Sequence, residues 1–232
     1  MKNILLALTI TFLVTASYAT AELKPSSRTT LTDTISVAGN GMLEVMPDQA
    51  TINFVVMTKS KASRDAQNQN AAETNRLVSA LTEAYRLPKT QIKTTSYTVT
   101  PEYDSTDSRT LIGYVVRHEL AIQFKFVDGL GSVLDLALAS GATTIEYIHY
   151  GLQDSKEVEK QTLRLAMQDS LAKATIIAES AGRSIIRVIK VSEGQYAFSG
   201  ADKSAADDRE PGTEIYPLMV TVSANLNVIY KF

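Results

Sequence analysis

The feature that most constrains this chain is a stretch from Leu111 to Phe126 in which apolar and polar residues alternate. Successive side chains of a strand point to opposite faces, so the alternation predicts a strand with one buried face. That face consists of Ile112, Tyr114, Val116, His118, Leu120, Ile122, Phe124 and Phe126. Sixteen residues is far longer than the usual strand of about five or six. We therefore expect this strand to bend, to bulge or to serve two parts of a sheet.

The rest of the chain alternates between strand and helix patterns. Further strands are predicted at 35–41, 49–59, 92–103, 143–152, 185–196 and 218–230, and helices at 63–85, 128–140 and 155–181. The order β-β-α-β-β-α-β-α-β-β predicts an α+β fold, with mixed or antiparallel sheets packed against three helices. We assign residues 35–232 to one domain, which could comprise two α/β subdomains. Within it, residues 198–217 are polar and small, and a loop of that length is either mobile or functional.

The N-terminal segment has the order of a secretory signal peptide. A cationic start at Lys2 precedes an almost wholly apolar run over residues 4–14, which small residues follow. That run is much shorter than the ~20 residues that a membrane-spanning helix needs. Residues 1–21 are therefore predicted to be a signal peptide, cleaved after Ala19 or Ala21, with a buried helix as the alternative. Residues 22–34 are polar and are predicted to be a flexible lead-in.

Composition removes several classes of function. The chain has 23 basic and 25 acidic residues and a net charge of −2, so it lacks a broad basic field for nucleic acid. It has no cysteine, which excludes disulfides, thiol catalysis and cysteine-ligated metals. Gly39 and Gly41 lie in a predicted strand hairpin rather than in a phosphate-binding loop. We therefore predict no catalytic, cofactor-binding or metal-binding residues, and no nucleic-acid partner.

The sequence contains two histidines, His118 and His149. His118 lies on the apolar face of the long strand, and His149 shares a strand face with Ile145 and Tyr147. Two histidines cannot form a three-histidine zinc site, and these two are not spaced as a pair on one helix. Each is interpreted as a hydrogen-bonded core histidine, with a metal ligand or a general base as the alternative.

The predicted helix at 155–181 carries apolar residues on two faces. The broader stripe predicts contact with a sheet and consists of Leu163, Ala166, Met167, Leu171, Ala174, Ile177, Ala178 and Ala181. A second stripe lies almost opposite and consists of Val158, Leu165, Ala172 and Ile176. A helix with its back to water does not need this second stripe. Either another segment of the same chain covers it, or it is an interface between subunits.

Several segments of the chain are distinctive together: ISVAGNG at 35–41 with PDQATI at 47–52, TSYTVTPEY at 95–103 with GY at 113–114, and LDLALASGA at 134–142 with the helix segment 172–182. These segments resemble the SIMPL-domain family of exported bacterial proteins. The resemblance covers roughly residues 34–232, which is nearly all of the predicted mature chain. It implies a periplasmic α+β protein that is linked to oxidative-stress tolerance, in a family with ring-like or channel-like oligomers. It implies no catalytic residues.

These features favour a non-enzymatic periplasmic protein that forms a homo-oligomer and supports tolerance of oxidative or envelope stress. The alternative is a periplasmic binding module for a small molecule, a peptide or an envelope component, using residues 198–217 and the turn near Asp104. Peripheral association with the envelope is compatible with both hypotheses. An enzyme would instead require polar side chains that converge in one pocket.

Overall fold

The fold is described from a computed structural model for residues 33–107, 109–204, 212 and 214–232. The predicted signal peptide, and the predicted lead-in as far as residue 32, lie outside the described residues. Residues 34–232 form one compact unit. Its first strand begins at Thr34, the last residue of the predicted lead-in.

The described residues form eight strands and three α-helices. In chain order they are β1 (Thr34–Val45), β2 (Gln49–Ser60), α1 (Ser63–Tyr85), β3 (Ile92–Tyr103), β4 (Leu111–Phe124), α2 (Leu130–Ala139), β5 (Thr144–Gly151), α3 (Lys156–Ser180), β6 (Arg187–Ser199), β7 (Ala201–Ser204) and β8 (Val220–Lys231). The α+β class is as predicted, and the order differs only by the short strand β7. This strand and the end of β6 lie in the stretch 198–217 that the sequence predicts to be a loop. Residues 205–211 and 213 of that stretch lie outside the described residues.

All strand pairs in the two sheets are antiparallel. One sheet has five strands in the order β3-β4-β2-β5-β7, and the other has three in the order β1-β8-β6. The chain passes from one sheet to the other between β1 and β2, between β5 and β6, between β6 and β7, and between β7 and β8. The long strand β4 pairs with β2 on one side and with β3 on the other, and its register with β3 shifts twice. One shift leaves Thr95 of β3 unpaired and the other leaves Ile112 of β4 unpaired, so the irregularity predicted for β4 is a bulge near its start.

The main core lies between the five-stranded sheet and the helices α1 and α2. The predicted buried face of β4 is confirmed at Val116, Leu120, Ile122 and Phe124. Ile112 is exposed, because it lies where β4 emerges from the surface turn at the end of the β3–β4 hairpin. The buried residues that α1 contributes are Ala66, Asn70, Thr74, Leu77 and Leu81. These residues follow the helical period, so the amphipathic pattern of α1 determines which face packs on the sheet.

The second core lies between α3 and the three-stranded sheet. Its buried sheet residues include Ile35, Val37, Leu226, Val228 and Tyr230. The buried residues of α3 recur at every fourth position and are Thr162, Ala166, Ser170, Ala174 and Ala178. The predicted sheet-facing stripe is therefore partly wrong, since Leu171 and Ile177 are half exposed. Small residues face the sheet because the helix backbone approaches the strands closely.

Two glycines of β1 make this close approach possible. A Cβ atom at Gly39 would overlap the carbonyl oxygen of Ala166, and one at Gly41 would overlap that of Thr162. The same contact is fixed by polar bonds, since the backbone N–H of Asn40 donates to the Asp169 carboxylate at 2.7 Å. Gly39 and Gly41 are thus structural, as predicted. In the described part of the chain, no helix is long and apolar enough to cross a membrane.

Candidate functional site

The second apolar stripe of α3 divides into two parts in the structure. Val158 is partly buried and packs against the main core. Leu165, Ala172 and Ile176 are exposed, and Ile176 retains 64% of its surface. Within the described residues, cover by the same chain therefore accounts for Val158 and leaves the other three side chains in solvent. We call Leu165, Ala172 and Ile176 the α3 stripe.

A second exposed apolar surface lies on the edge strand β6. Val188, Val191, Tyr196 and Phe198 pair with buried residues of β8, so they share the inward face of the sheet, the side on which α3 packs. They are nevertheless 41–46% exposed. The reason is that α3 packs on β1 and β8 and leaves β6 uncovered. We call these four residues the β6 face.

The outward face of the five-stranded sheet carries a charged cluster around Arg117. Its guanidinium donates to Glu119 at 2.9 Å and also to Glu146. The Asn53 side chain donates to the other oxygen of Glu146 at 2.8 Å. Asn53 is almost fully buried, and its carbonyl oxygen has no hydrogen-bond partner. Arg117 pairs with both carboxylates of the cluster, and the carbonyl oxygen of Asn53 is not accessible to solvent. We therefore interpret the cluster as structural.

The two histidines lie on opposite faces of the same sheet and do not converge. His118 pairs with Val56 on the helix side, and His149 pairs with Thr51 on the outward side. The His118 imidazole is hydrogen-bonded to the hydroxyl of Thr74 at 3.2 Å and to that of Thr94 at 3.0 Å. Burial lowers its pKa. His118 is thus a hydrogen-bonded histidine, as predicted, and it is half buried at the boundary of the core.

No cluster of three or more His, Cys, Asp or Glu side chains able to hold a metal ion occurs in the part of the chain that the structure describes. Asp104, in the turn between β3 and β4, accepts from the backbone and hydroxyl of Thr106 at 2.7 and 2.6 Å. These hydrogen bonds lower the pKa of Asp104. The carboxylate therefore closes the turn, in agreement with its interpretation as a turn residue.

A cavity of about 430 Å³ lies at the N-terminal end of α2. Its lining residues are Asp128, Gly129, Gly131, Ser132, Gly212, Glu214, Ile215, Tyr216 and Pro217. Gly212 donates its backbone N–H to Asp135 at 2.9 Å, which attaches this part of the 198–217 stretch to α2. The volume is within the range of small-molecule sites. The cavity lies where residues 212 and 214–217 of the 198–217 stretch meet the start of α2.

The sequence comparisons decide the family. The model of the SIMPL family, described as "Protein of unknown function (DUF541)", matches residues 35–230. The chain belongs to the SIMPL family. The match extends from the first strand to the last and confirms the resemblance found in the sequence segments.

Two relatives of this SIMPL protein illustrate how far the similarity extends. The "26 kDa periplasmic immunogenic protein" of Brucella melitensis is 25% identical over 165 residues, which are 68% of this chain and 66% of the relative. The "Uncharacterized protein YggE" of Escherichia coli K12 is 23% identical over 158 residues, which are 68% of this chain and 64% of the relative. The chain therefore spans slightly less than two thirds of the length of these relatives.

Within the described residues of this SIMPL protein, the predicted interface residues belong neither to the Arg117 cluster nor to the lining of the cavity. The α3 stripe is a surface of its own, and the β6 face is one that the sequence analysis missed. Alternation marks 185–196 as a strand, but the sequence does not state which strand forms the edge of the sheet. No pattern within residues 187–199 distinguishes an edge strand that a helix leaves uncovered from one that it covers.

Proposed function

We propose that this SIMPL protein is a non-enzymatic periplasmic protein that self-assembles through the α3 stripe and the β6 face. The predicted signal peptide supports the location, as does the Brucella relative, whose name describes it as periplasmic. The proposal extends to support of oxidative or envelope stress tolerance, which rests on the family resemblance.

The observation that supports self-assembly is that apolar side chains of α3 and β6 are exposed to solvent. Leu165 and Ile176 are exposed on α3, and four large apolar side chains are half exposed on β6. Contiguous apolar patches on a monomer commonly mark interaction sites, because their burial stabilises by about 25 cal/mol for each Å². We take a second copy of the chain as the partner, because it is present at the same concentration and in the same compartment as the chain itself.

The polar side chains described above are hydrogen-bonded or ion-paired within the protein, and this supports a non-enzymatic role. His118 is bonded to two threonines, Asp104 closes a turn, and Arg117 holds two carboxylates. Each of these groups has a structural partner, whereas a catalytic acid or base needs access to a substrate.

Self-assembly is tested by light scattering on the exported protein and on two paired variants. L165E/I176E places charges on the α3 stripe, and V191E/F198E places them on the β6 face. We expect a wild-type mass above that of one chain and a smaller mass for at least one variant, because a buried unpaired carboxylate is costly. M42E is the control, since Met42 is 63% exposed, as Ile176 is at 64%, but lies on the opposite face of the three-stranded sheet.

A wild-type protein that is monomeric at micromolar concentration would contradict self-assembly, as would equal losses in M42E. The physiological part of the proposal is tested separately. A strain that lacks the gene is challenged with hydrogen peroxide and is complemented with either the wild type or the dissociated variant. Equal survival with and without the wild-type gene would remove the stress-tolerance claim.

The cavity beside α2 favours a second candidate, a periplasmic module that binds a small molecule. Its volume and its mixture of carboxylates, backbone groups and the Tyr216 ring fit a small polar ligand. Native mass spectrometry of protein purified from its own periplasm would detect such a ligand as an added mass. Retention of that mass in the wild type and its loss in Y216A would favour this candidate over assembly alone.

A further inference from the structure

Three cations lie at one end of the three-stranded sheet, on the face turned away from α3. Arg187 of β6 is directly opposite Lys231 of β8, and Lys190 is opposite Ile229. Tyr230 is buried under α3, so alternation places Lys231 and Ile229, with their cross-strand partners, on the outward face. We call Arg187, Lys190 and Lys231 the basic row.

Within the described strands of this sheet, no acidic residue is the cross-strand partner of the basic row, and Asp33 directly precedes Thr34, the β1 partner of Lys231. No described side chain forms an ion pair with any of the three cations. On the outward face of the described strands of this sheet, the acid is Glu44, at the opposite end of β1. Ten residues separate it from Thr34, the β1 partner of Lys231, which is roughly 33 Å along a strand.

Like charges that face each other across a strand pair destabilise a sheet. One general explanation is that cations on an edge strand prevent pairing with the edges of other sheets. That explanation fits Arg187 and Lys190, which are on the edge strand β6. It does not fit Lys231, because β8 is the central strand of the sheet. An anionic partner accounts for all three cations, and the net charge of −2 makes this row a local exception in an acidic chain.

We infer that the basic row binds the phosphate headgroups of an anionic lipid surface. The neighbouring outward residues of β1 on this sheet face, Thr34 and Ser36, are small. Such a surface suits many fixed anions better than one free ion. Ile229 lies on the same face as the row and is partly exposed, and Ile189 is exposed at the register shift next to Lys190. Cations next to exposed apolar side chains are the combination that peripheral membrane surfaces use.

The inference goes beyond self-assembly and does not depend on it. It is tested by co-sedimentation of the exported protein with vesicles of phosphatidylglycerol mixed into phosphatidylcholine, and with vesicles of phosphatidylcholine alone. We expect binding to the anionic vesicles only, and weaker binding as salt screens the charges. Each cation near an anionic surface contributes about fivefold, so R187Q/K190Q/K231Q is expected to bind roughly 100-fold more weakly.

The matched control is R64Q/K89Q/K93Q, which removes one arginine and two lysines that are exposed elsewhere. It has the same net charge as the test variant, and we expect it to bind like the wild type. R187K/K190R/K231R keeps the charges and should also bind. Light scattering without vesicles checks that the test variant assembles like the wild type, so that a failure of self-assembly is distinguished from a failure of lipid binding.

Three results would overturn the inference. Equal binding to neutral vesicles would mean that charge is not what is recognised. An equal loss in the control variant would mean that net charge alone matters. Release from the vesicles by inorganic phosphate, but not by sodium chloride of the same ionic strength, would make the row a site for a free anion.

Discussion

At the residue scale, His118 belongs to a half-buried hydrogen-bond network and makes the stability of the fold depend on pH. Its two ring nitrogens are bonded to Thr74 and Thr94, and the ring of Tyr97 packs edge-on against it with centroids 5.1 Å apart. Burial lowers the pKa of His118 in the folded state, whereas an exposed histidine has a pKa of about 6.5. The unfolded chain therefore binds more protons at this residue as the pH falls below about 6.5.

From this linkage we predict that His118 stabilises the fold at neutral pH and that its contribution declines as the pH falls through about 6.5. H118Q should show a flatter dependence of unfolding free energy on pH between about 7.5 and 5, a window above the titration of most carboxyl groups. Urea unfolding at several pH values in this window measures both slopes. Parallel slopes for the wild type and the variant would contradict the assignment.

At the scale of elements, the sequence predicts the three helices closely and the packing of α3 only in part. A helical wheel selects large apolar residues, so it assigns Leu171 and Ile177 to the sheet-facing stripe. The structure instead places small residues against the sheet, because Gly39 and Gly41 bring β1 against the α3 backbone. A hydrophobic pattern does not indicate where the backbone of a helix contacts a strand at glycine residues. The short strand β7 was missed because four residues carry no readable alternation.

We predict that G41A loosens the contact between α3 and β1. The added methyl group would overlap the carbonyl oxygen of Thr162, and backbone cannot move aside as a flexible side chain can. Overpacking of this kind destabilises by about 3 kcal/mol, to be measured as the loss of unfolding free energy in urea. The control is G151A, also in a strand, where the nearest atom is the flexible end of Gln49. A loss of similar size in G151A would mean that any strand glycine is equally sensitive.

At the scale of the whole molecule, the sequence predicts the class of the fold but not the order of its strands. β8 lies between β1 and β6, and its pairing with β1 joins residues from opposite ends of the described chain. Local periodicity contains no information on such distant pairs. It also cannot show that α3 covers two strands of the sheet and leaves β6 open. For the same reason the α3 stripe could be predicted as a surface, while the β6 face and the basic row required the structure.

If the open apolar surfaces assemble, the stability of the molecule depends on its concentration. Association that requires the folded state stabilises that state by mass action, so Tm rises with protein concentration. For a chain of this length, each tenfold increase should raise Tm by about 2–4 °C. Differential scanning calorimetry over a range of concentrations measures this shift. We expect the shift in Tm to vanish in L165E/I176E or in V191E/F198E and to persist in M42E. The variant in which it vanishes identifies the surface that joins the copies. A wild-type Tm that is independent of concentration would mean that these surfaces remain open to solvent in the working protein.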